Sequence, residues 1–265
     1  MTAPSRPRGS KGPILWPLVL IVLGIALLLN SFLLLEGFNL LALSPLLLVL
    51  LGAVILLRGD FVPHDDTRTF GITRGSVESA MLEISAGEID VAITALDGSE
   101  RLIAGRYAPQ ARPALTVEGV HAQLQMDRGS APWWSFADWE IGLTRELPWS
   151  LYFSSHLGEM DIDASGLIVQ GGQISTGIGD IRFVPPVEAF DRILLRSTLG
   201  TIQVIAPLGA RVIVQVEPSR FSRVHVDSIR YVQNETHLYT SLDAHEDAVP
   251  ITVNVRSSFG DIYLA

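Results

Sequence analysis

Carboxylates recur at one position of a short repeated unit, and they are the side chains of this sequence with the clearest potential for chemistry. The unit reads apolar, glycine, acidic, apolar, polar, apolar, and its third position holds Glu88, Glu159, Asp180, Asp261 and, in one copy, Thr201. Stacked as neighbouring β-strands, these side chains would lie about 5 Å apart. That separation suits the carboxyl pair of a retaining glycosidase. With Asp161 and Asp163 added, the group also suits a Ca²⁺ site.

The other reactive side chains lack the spacing of a catalytic or metal site. No two histidines have metal-ligand spacing on one element; they are His64, His121, His156, His225, His237 and His245. Cysteine is absent, which excludes disulfides, thiol nucleophiles and cysteine metal sites. We therefore predict a non-enzymatic protein with no catalytic residue, no metal site and no cofactor. We interpret the acidic row as a solvated edge that marks strand register.

Glycine occupies the second position of every copy of the unit, at Gly87, Gly158, Gly179, Gly200 and Gly260. The middle three glycines are 21 residues apart. Apolar or small residues stand at odd positions before the glycine and at even positions after it, so the inward phase shifts by one. Because strand side chains alternate with period 2, such a shift needs a bend or bulge, and glycine takes that backbone cheaply. Each unit is predicted to be a strand, a glycine corner and a second strand.

A fixed period near 20 residues indicates coils stacked on one another. Each coil exposes open strand edges above and below, which the neighbouring coils pair with and cover. We therefore predict an all-β solenoid, close to a β-helix, over residues 76–265. The longer gaps, 71 residues from Gly87 to Gly158 and 60 from Gly200 to Gly260, predict degenerate coils or insertions.

Two apolar runs precede this region. Residues 14–35 form 22 positions without a charge, and residues 40–57 form a second run of 18. A helix needs about 20 such residues to cross the hydrocarbon core of a bilayer, and only the tight polar turn 36–39 separates the runs. We predict an α-helical transmembrane hairpin over 14–57. A signal peptide is the alternative for the first run, but that run is too long and a second span follows it.

Charge predicts the topology and one class of partner. Arg6, Arg8 and Lys11 lie in the basic segment 1–13, which should stay in the cytoplasm. A hairpin returns the chain to that side, so the linker 58–75 and the soluble domain are predicted to be cytoplasmic. The chain carries −9 and residues 1–58 contribute +3, which leaves −12 for the rest. Such an acidic domain is not expected to bind nucleic acid.

The two spans repeat one another, since PLVLIVLG at 17–24 is followed by PLLLVLLG at 45–52. This pair resembles the transmembrane region of LiaF-type membrane proteins. The region after the linker carries WEIGL at 139–143, LGEMDID at 157–163 and STGIGDI at 175–181. These motifs resemble the toastrack domain, also called the "putative adhesin" domain, of bacterial membrane proteins.

The resemblance implies a toastrack-type β-solenoid and a regulatory role. LiaF-type proteins are described as restraining an envelope-stress histidine kinase, so a membrane histidine kinase or another envelope protein is the implied partner. Relatives of this type often carry more spans than the two found here. No kinase-contacting residue follows from the resemblance.

One aromatic cluster, with Trp133, Trp134 and Phe136, is a candidate binding patch or membrane-contacting loop. Its alternative is a cap on the solenoid core. Together these features predict a membrane-anchored regulatory, sensory or scaffold protein that presents a β-solenoid surface to a partner. The alternative is a carbohydrate-active or adhesive β-helix that faces outward.

Overall fold

The computed structural model describes residues 68–98, 100–107, 113–127, 138–245 and 247–265. The predicted membrane hairpin 14–57 and the aromatic cluster of Trp133, Trp134 and Phe136 lie outside these residues. None of the described residues belongs to a helix with the length and apolar character needed to cross a membrane. The described chain consists instead of short strands joined by turns.

The described residues form twenty strands, in which polar and apolar side chains alternate. In chain order they are β1 (Arg68–Thr73), β2 (Ser79–Gly87), β3 (Val91–Ala95), β4 (Arg101–Tyr107), β5 (Ala114–Glu118), β6 (His121–Asp127), β7 (Trp139–Leu143), β8 (Pro148–Leu157), β9 (Met160–Asp163), β10 (Ile168–Ile178), β11 (Ile181–Val184), β12 (Glu188–Ala189), β13 (Ile193–Leu199), β14 (Ile202–Val204), β15 (Val212–Glu217), β16 (Val224–Val226), β17 (Tyr231–Glu235), β18 (Leu238–Ser241), β19 (Ile251–Phe259) and β20 (Ile262–Leu264).

The strands form two sheets. The first sheet has the order β1-β4-β7-β3-β9-β11-β14-β20-β16, and the second has the order β17-β18-β15-β19-β13-β10-β8-β2-β6-β5, with β12 beside β10. A coil is a strand of the second sheet, a corner and the next, shorter strand in the first sheet. Neighbouring coils pair in parallel in both sheets, as β8–β10 and β9–β11 do. The fold is therefore all-β and solenoid-like, as the repeat predicts.

The coils do not stack in the order of the sequence. Both sheets give the same spatial order: β6/β7, β2/β3, β8/β9, β10/β11, β13/β14, β19/β20, β15/β16. Coil β19/β20, the last in sequence, thus lies between two earlier coils. At the other end β6/β7 is the outermost coil, although β2/β3 precedes it in the sequence. Each long gap between repeat glycines therefore contains a further coil, which no glycine of the repeated unit marks.

Antiparallel strands close the ends of the stack. At one end β4 and β1 extend the first sheet from β7, and β5 pairs with β6 in the second sheet. At the other end β18 and β17 extend the second sheet from β15. Hairpins at an edge occupy backbone groups that would otherwise pair with another chain.

The core lies between the two sheets and consists of columns of side chains with one member per coil. One column of the second sheet is at most 2% exposed at every rung: Met126, Ile84, Phe153, Ile174, Leu195, Val255 and Val216. Burying such a side chain contributes about 1.5–3 kcal/mol. Each coil therefore depends on its neighbours to cover its apolar face.

Candidate functional site

Four glycines align at one corner of the solenoid, which we call the glycine corner. Gly158, Gly179, Gly200 and Gly260 follow one another on successive coils, with φ of 153°, 145°, 150° and 137°. A Cβ on Gly179 would lie 2.0 Å from the carbonyl oxygen of Gly158, and those on Gly200 and Gly260 would each lie 2.1 Å from the preceding glycine's oxygen. Both the backbone conformation and the rung spacing therefore require glycine here.

Gly87 does not belong to this line, which corrects the alignment predicted from the repeat. Ile84 pairs with Phe153 and Val91 with Met160, which is two residues from the register that the glycines predict, so Gly87 pairs with Ser155 instead of lying beside Gly158. A Cβ on Gly158 would instead meet the carbonyl oxygen of Ile89. The first copy is therefore displaced by two residues, and Gly87 (φ 65°) forms a bulge before the corner.

Buried hydroxyls stand three residues before each aligned glycine, at Ser155, Thr176, Ser197 and Ser257. The Ser155 hydroxyl donates to the Gly87 carbonyl at 2.9 Å, and the Ser257 hydroxyl donates to the Gly260 carbonyl at 3.2 Å. A buried carbonyl without such a donor is costly. These hydroxyls therefore stabilise the backbone of the corner.

The acidic row follows the corner, with one correction to its membership. The strand register places Asp138, Asp90, Glu159, Asp180, Thr201 and Asp261 in line, since each precedes a paired residue of the first sheet. Asp90, not Glu88, is the member from the first copy of the unit. The cause is the same two-residue displacement that removes Gly87 from its line.

Several carboxylates of the row accept hydrogen bonds from the next rung. Asp90 Oδ1 accepts from the backbone N–H of Glu159 at 2.7 Å, and Asp180 Oδ1 accepts from that of Thr201 at 2.6 Å. Asp261 Oδ1 accepts from the N–H of Arg223 at 3.2 Å. These groups bridge rungs where the backbone turns, and the described residues hold no cluster of three or more candidate metal ligands.

Two carboxyls of the row have shifted pKa values. The pKa of Asp261 lies below its usual range, chiefly because the His225 imidazole hydrogen-bonds its carboxylate, with Nε2 to Oδ2 at 3.0 Å. Burial, followed by the charges of Asp90 and Glu140, raises the pKa of Asp138. The His225 ring also stacks on Tyr263, with centroids 4.6 Å apart.

Large apolar side chains form a second row immediately before the glycines. This apolar row consists of Leu157, Ile178, Leu199, Phe259 and Phe221, in spatial order. Its members are 47% to 65% exposed, and the rings of Phe221 and Phe259 stack at 5.0 Å. Five rungs at about 4.8 Å give the row a length of about 19 Å. Isolated exposed apolar residues are ordinary, but a contiguous row indicates a contact surface.

Alternation along the strand places this row on the inward side, and the structure leaves it half exposed. The row is exposed because it stands at the end of the strands, next to the corner. The buried hydroxyls two residues before it are the last side chains that the core covers. The sequence does carry the signal for the row, since a large apolar residue precedes all four aligned glycines.

A groove of about 560 Å³ lies at the turns that return from the short strands to the next coil. Three such turns, after β9, β11 and β14, and the segment between β18 and β19 line it. The lining residues are Ser165, Pro186, Val187, Glu188, Pro207, Leu208, Gly209, Ala210, His245, Asp247, Ala248 and Val249. We call it the return-turn groove. Its residues span more than 80 positions of sequence without a shared motif, so the repeat alone does not predict it.

Comparison with solved structures gives three matches that differ in the quality of superposition. A "putative cell adhesion protein" from Clostridium sporogenes superposes with a TM-score of 0.63 at 16% identity, over 75% of this chain and 98% of that one. A "putative adhesin" from Bacteroides fragilis gives 0.32 at 12%, over 77% and 99%. A "putative lipid binding protein" from Parabacteroides distasonis gives 0.23 at 10%, over 76% and 96%.

The last two superpositions are too loose to show a common fold. No family model and no curated protein sequence matches the chain. The β-rich, solenoid-like fold of the described domain is therefore one that it shares with the Clostridium protein.

Proposed function

We propose that this protein is a non-enzymatic binding module that presents its apolar row to another protein. The half-exposed row of Leu157, Ile178, Leu199, Phe259 and Phe221 carries the proposal. Covering an aliphatic or aromatic surface of this kind contributes about 25 cal/mol per Å² before the costs of association. A rigid row on paired strands loses little further entropy when a partner covers it.

The acidic row supports a non-enzymatic role. Asp90 and Asp180 each accept a backbone N–H from the next rung, so their carboxylates hold the corner together. In a retaining glycosidase the two carboxyls must face an open substrate site. In this proposal the carboxylates of the acidic row have a structural role and not a catalytic one.

In this proposal residues 14–57 anchor the module in a membrane and the domain lies in the cytoplasm. The resemblance to LiaF-type proteins makes a membrane histidine kinase of envelope-stress signalling the proposed partner. A partner in the same membrane needs only lateral diffusion to reach the row, which favours contact even at modest affinity.

Adhesion is the second candidate function, and the similar fold of the protein named as a "putative cell adhesion protein" favours it. An adhesive domain must face outward, opposite to the topology that Arg6, Arg8 and Lys11 predict. Proteolysis of intact cells separates the two functions. A domain that is degraded only after the membrane is opened supports the cytoplasmic module, and one degraded in intact cells supports adhesion.

Site-specific photocrosslinking in membranes tests the proposed surface. A photoreactive residue at Ile178 or Leu199 of the full chain should give a discrete adduct with the same membrane protein, identified by mass spectrometry. The matched control is Thr198, which neighbours Leu199 but is exposed on the opposite face of β13. Absence of an adduct at both row positions, or the same adduct from Thr198, would contradict the proposal.

A further inference from the structure

The return-turn groove is built from turns that hydrogen bonds hold in place. The Gly209 N–H donates to the Asp243 carbonyl at 3.0 Å, and the His245 N–H donates to the Gly209 carbonyl at 3.0 Å. The Ala248 N–H donates to the His245 carbonyl at 3.1 Å. These bonds link the turn after β14 to the segment before β19, so the two sides of the groove are joined. The groove is therefore formed before any ligand enters.

Apolar side chains line the groove without being covered. Val187 is 66% exposed, Leu208 80% and Val249 56%, and Pro186 and Pro207 lie beside them. The three exposed side chains come from three different connecting segments, after β11, after β14 and before β19, which the coil order brings together. Exposed aliphatic groups converging on one concavity are typical of a binding site, and about 560 Å³ lies within the usual range for such sites.

The polar side chains of the groove give it a negative charge. Glu188 and Asp247 line it, and the described residues that line it include no Lys or Arg. Neither carboxylate forms an ion pair with another described residue. A ligand that brings a cation would therefore meet two carboxylates that no Lys or Arg of the described part of the chain neutralises. Charge complementarity of this kind selects partners by sign.

We infer that the return-turn groove binds a peptide segment of a partner protein in which a large aliphatic side chain stands next to a Lys or Arg. The aliphatic side chain packs against Val187, Leu208 and Val249, and the cation faces Glu188 and Asp247. This site is separate from the apolar row, so the inference goes beyond the proposed function and does not depend on it.

Three synthetic peptides and the purified full chain in detergent test the inference. Acetyl-Leu-Lys-Leu-Lys-Leu-amide should bind, measured by calorimetry, whereas acetyl-Leu-Glu-Leu-Glu-Leu-amide and acetyl-Ser-Lys-Ser-Lys-Ser-amide should bind at least about tenfold more weakly. The last two peptides separate charge from apolar contact. Equal binding of the acidic peptide, or of the serine peptide, would overturn the inference.

Substitutions in the return-turn groove test whether the peptide binds there. Leu208→Ser should lower the affinity for acetyl-Leu-Lys-Leu-Lys-Leu-amide by about tenfold or more, and Asp247→Asn should lower it by a few-fold. The matched controls are Ile229→Ser, whose side chain is 81% exposed elsewhere, and Glu235→Gln in the β17–β18 hairpin. Both controls should bind as the parent does. All four positions are exposed, so the fold should tolerate these changes.

Binding that Leu208→Ser leaves unchanged would overturn the inference. A chain that is dimeric by light scattering and becomes monomeric with Leu208→Ser would assign the groove to a second copy. Tighter peptide binding after deletion of residues 1–13 would assign it to the chain's own basic N-terminus. Either of these last two results also overturns a partner protein as the occupant.

Discussion

A Cβ at Gly179 would lie 2.0 Å from the carbonyl oxygen of Gly158, in a backbone conformation with φ of 145°. Gly75 also has positive φ, at 58°, but nothing lies within 4 Å of a Cβ there. Gly75→Ala should therefore lower the free energy of unfolding by about 1–2 kcal/mol, which is the strain of alanine in a left-handed backbone conformation. Gly179→Ala should cost about 3 kcal/mol or more, because the rungs must also separate. Urea unfolding of both variants checks this, and equal losses would contradict the close approach of the rungs.

Ser257 stabilises the corner through its hydroxyl. It is buried and donates to the Gly260 carbonyl at 3.2 Å, so Ser257→Ala should cost about 1–2 kcal/mol. The neighbouring Ser258 has no such role for its hydroxyl, and Ser258→Ala should change stability by less than about 0.5 kcal/mol. Thermal unfolding compares the two, and a neutral Ser257→Ala would show that the hydroxyl does not support the corner.

Asp261 should make stability depend on pH. Its pKa is lowered, chiefly by the hydrogen bond with His225, so the ionised form stabilises the folded state. That stabilisation is fully present above the unfolded-state pKa near 3.8 and is lost as pH falls through the lower folded-state pKa. The stability advantage of the parent over Asp261→Asn, from unfolding midpoints between about pH 5 and pH 2, should shrink accordingly. An advantage that grows toward low pH would contradict this sign.

At the scale of elements, the glycine corners and inward columns could be predicted because they follow simple rules. Side chains alternate along a strand, and the shift of phase at Gly158, Gly179, Gly200 and Gly260 requires a bend. Gly87 is misplaced because both strands of its coil pair two residues away from the register that the glycines predict, as Ile84 with Phe153 and Val91 with Met160 show. The letters of the unit are unchanged by this displacement, so periodicity alone does not detect it.

The candidate surfaces were harder to predict. The alternation of side chains along β10 places Ile178 on the inward face. Its exposure depends on how far the packed core extends along the strand, which the alternation does not determine. The return-turn groove gathers Val187, Leu208 and Val249 from turns that lie far apart along the chain. Its formation depends on which coil stacks on which, and that information does not reside in any one segment.

At the scale of the whole molecule, the coil order has a consequence for folding. Coil β19/β20 is the last in sequence but pairs with β13/β14 on one side and β15/β16 on the other. Deleting residues 250–265 should therefore remove a middle coil, open two apolar faces and abolish cooperative unfolding. Replacing only the β17–β18 hairpin with a short Gly-Ser linker should leave a cooperative transition at lower temperature. Calorimetry that finds a cooperative transition in the deletion variant would contradict this coil order.

The stacking of coils also creates the proposed docking surface, since no single coil contains more than one member of the apolar row. The double variant Ile178→Gln and Leu199→Gln removes the centre of the row while leaving the glycines, the hydroxyls and the acidic row unchanged. Thr198→Gln, on the opposite face of the same strand, is its matched control.

The decisive measurement places a photoreactive residue at position 259 of the full chain and quantifies the membrane protein that is recovered as its crosslinked adduct. The melting temperature of each variant is determined in parallel. We expect the double variant to reduce recovery at least about tenfold while its melting temperature stays within a few degrees of the parent, and Thr198→Gln to change neither. Undiminished recovery with the double variant would show that the apolar row is not the docking surface.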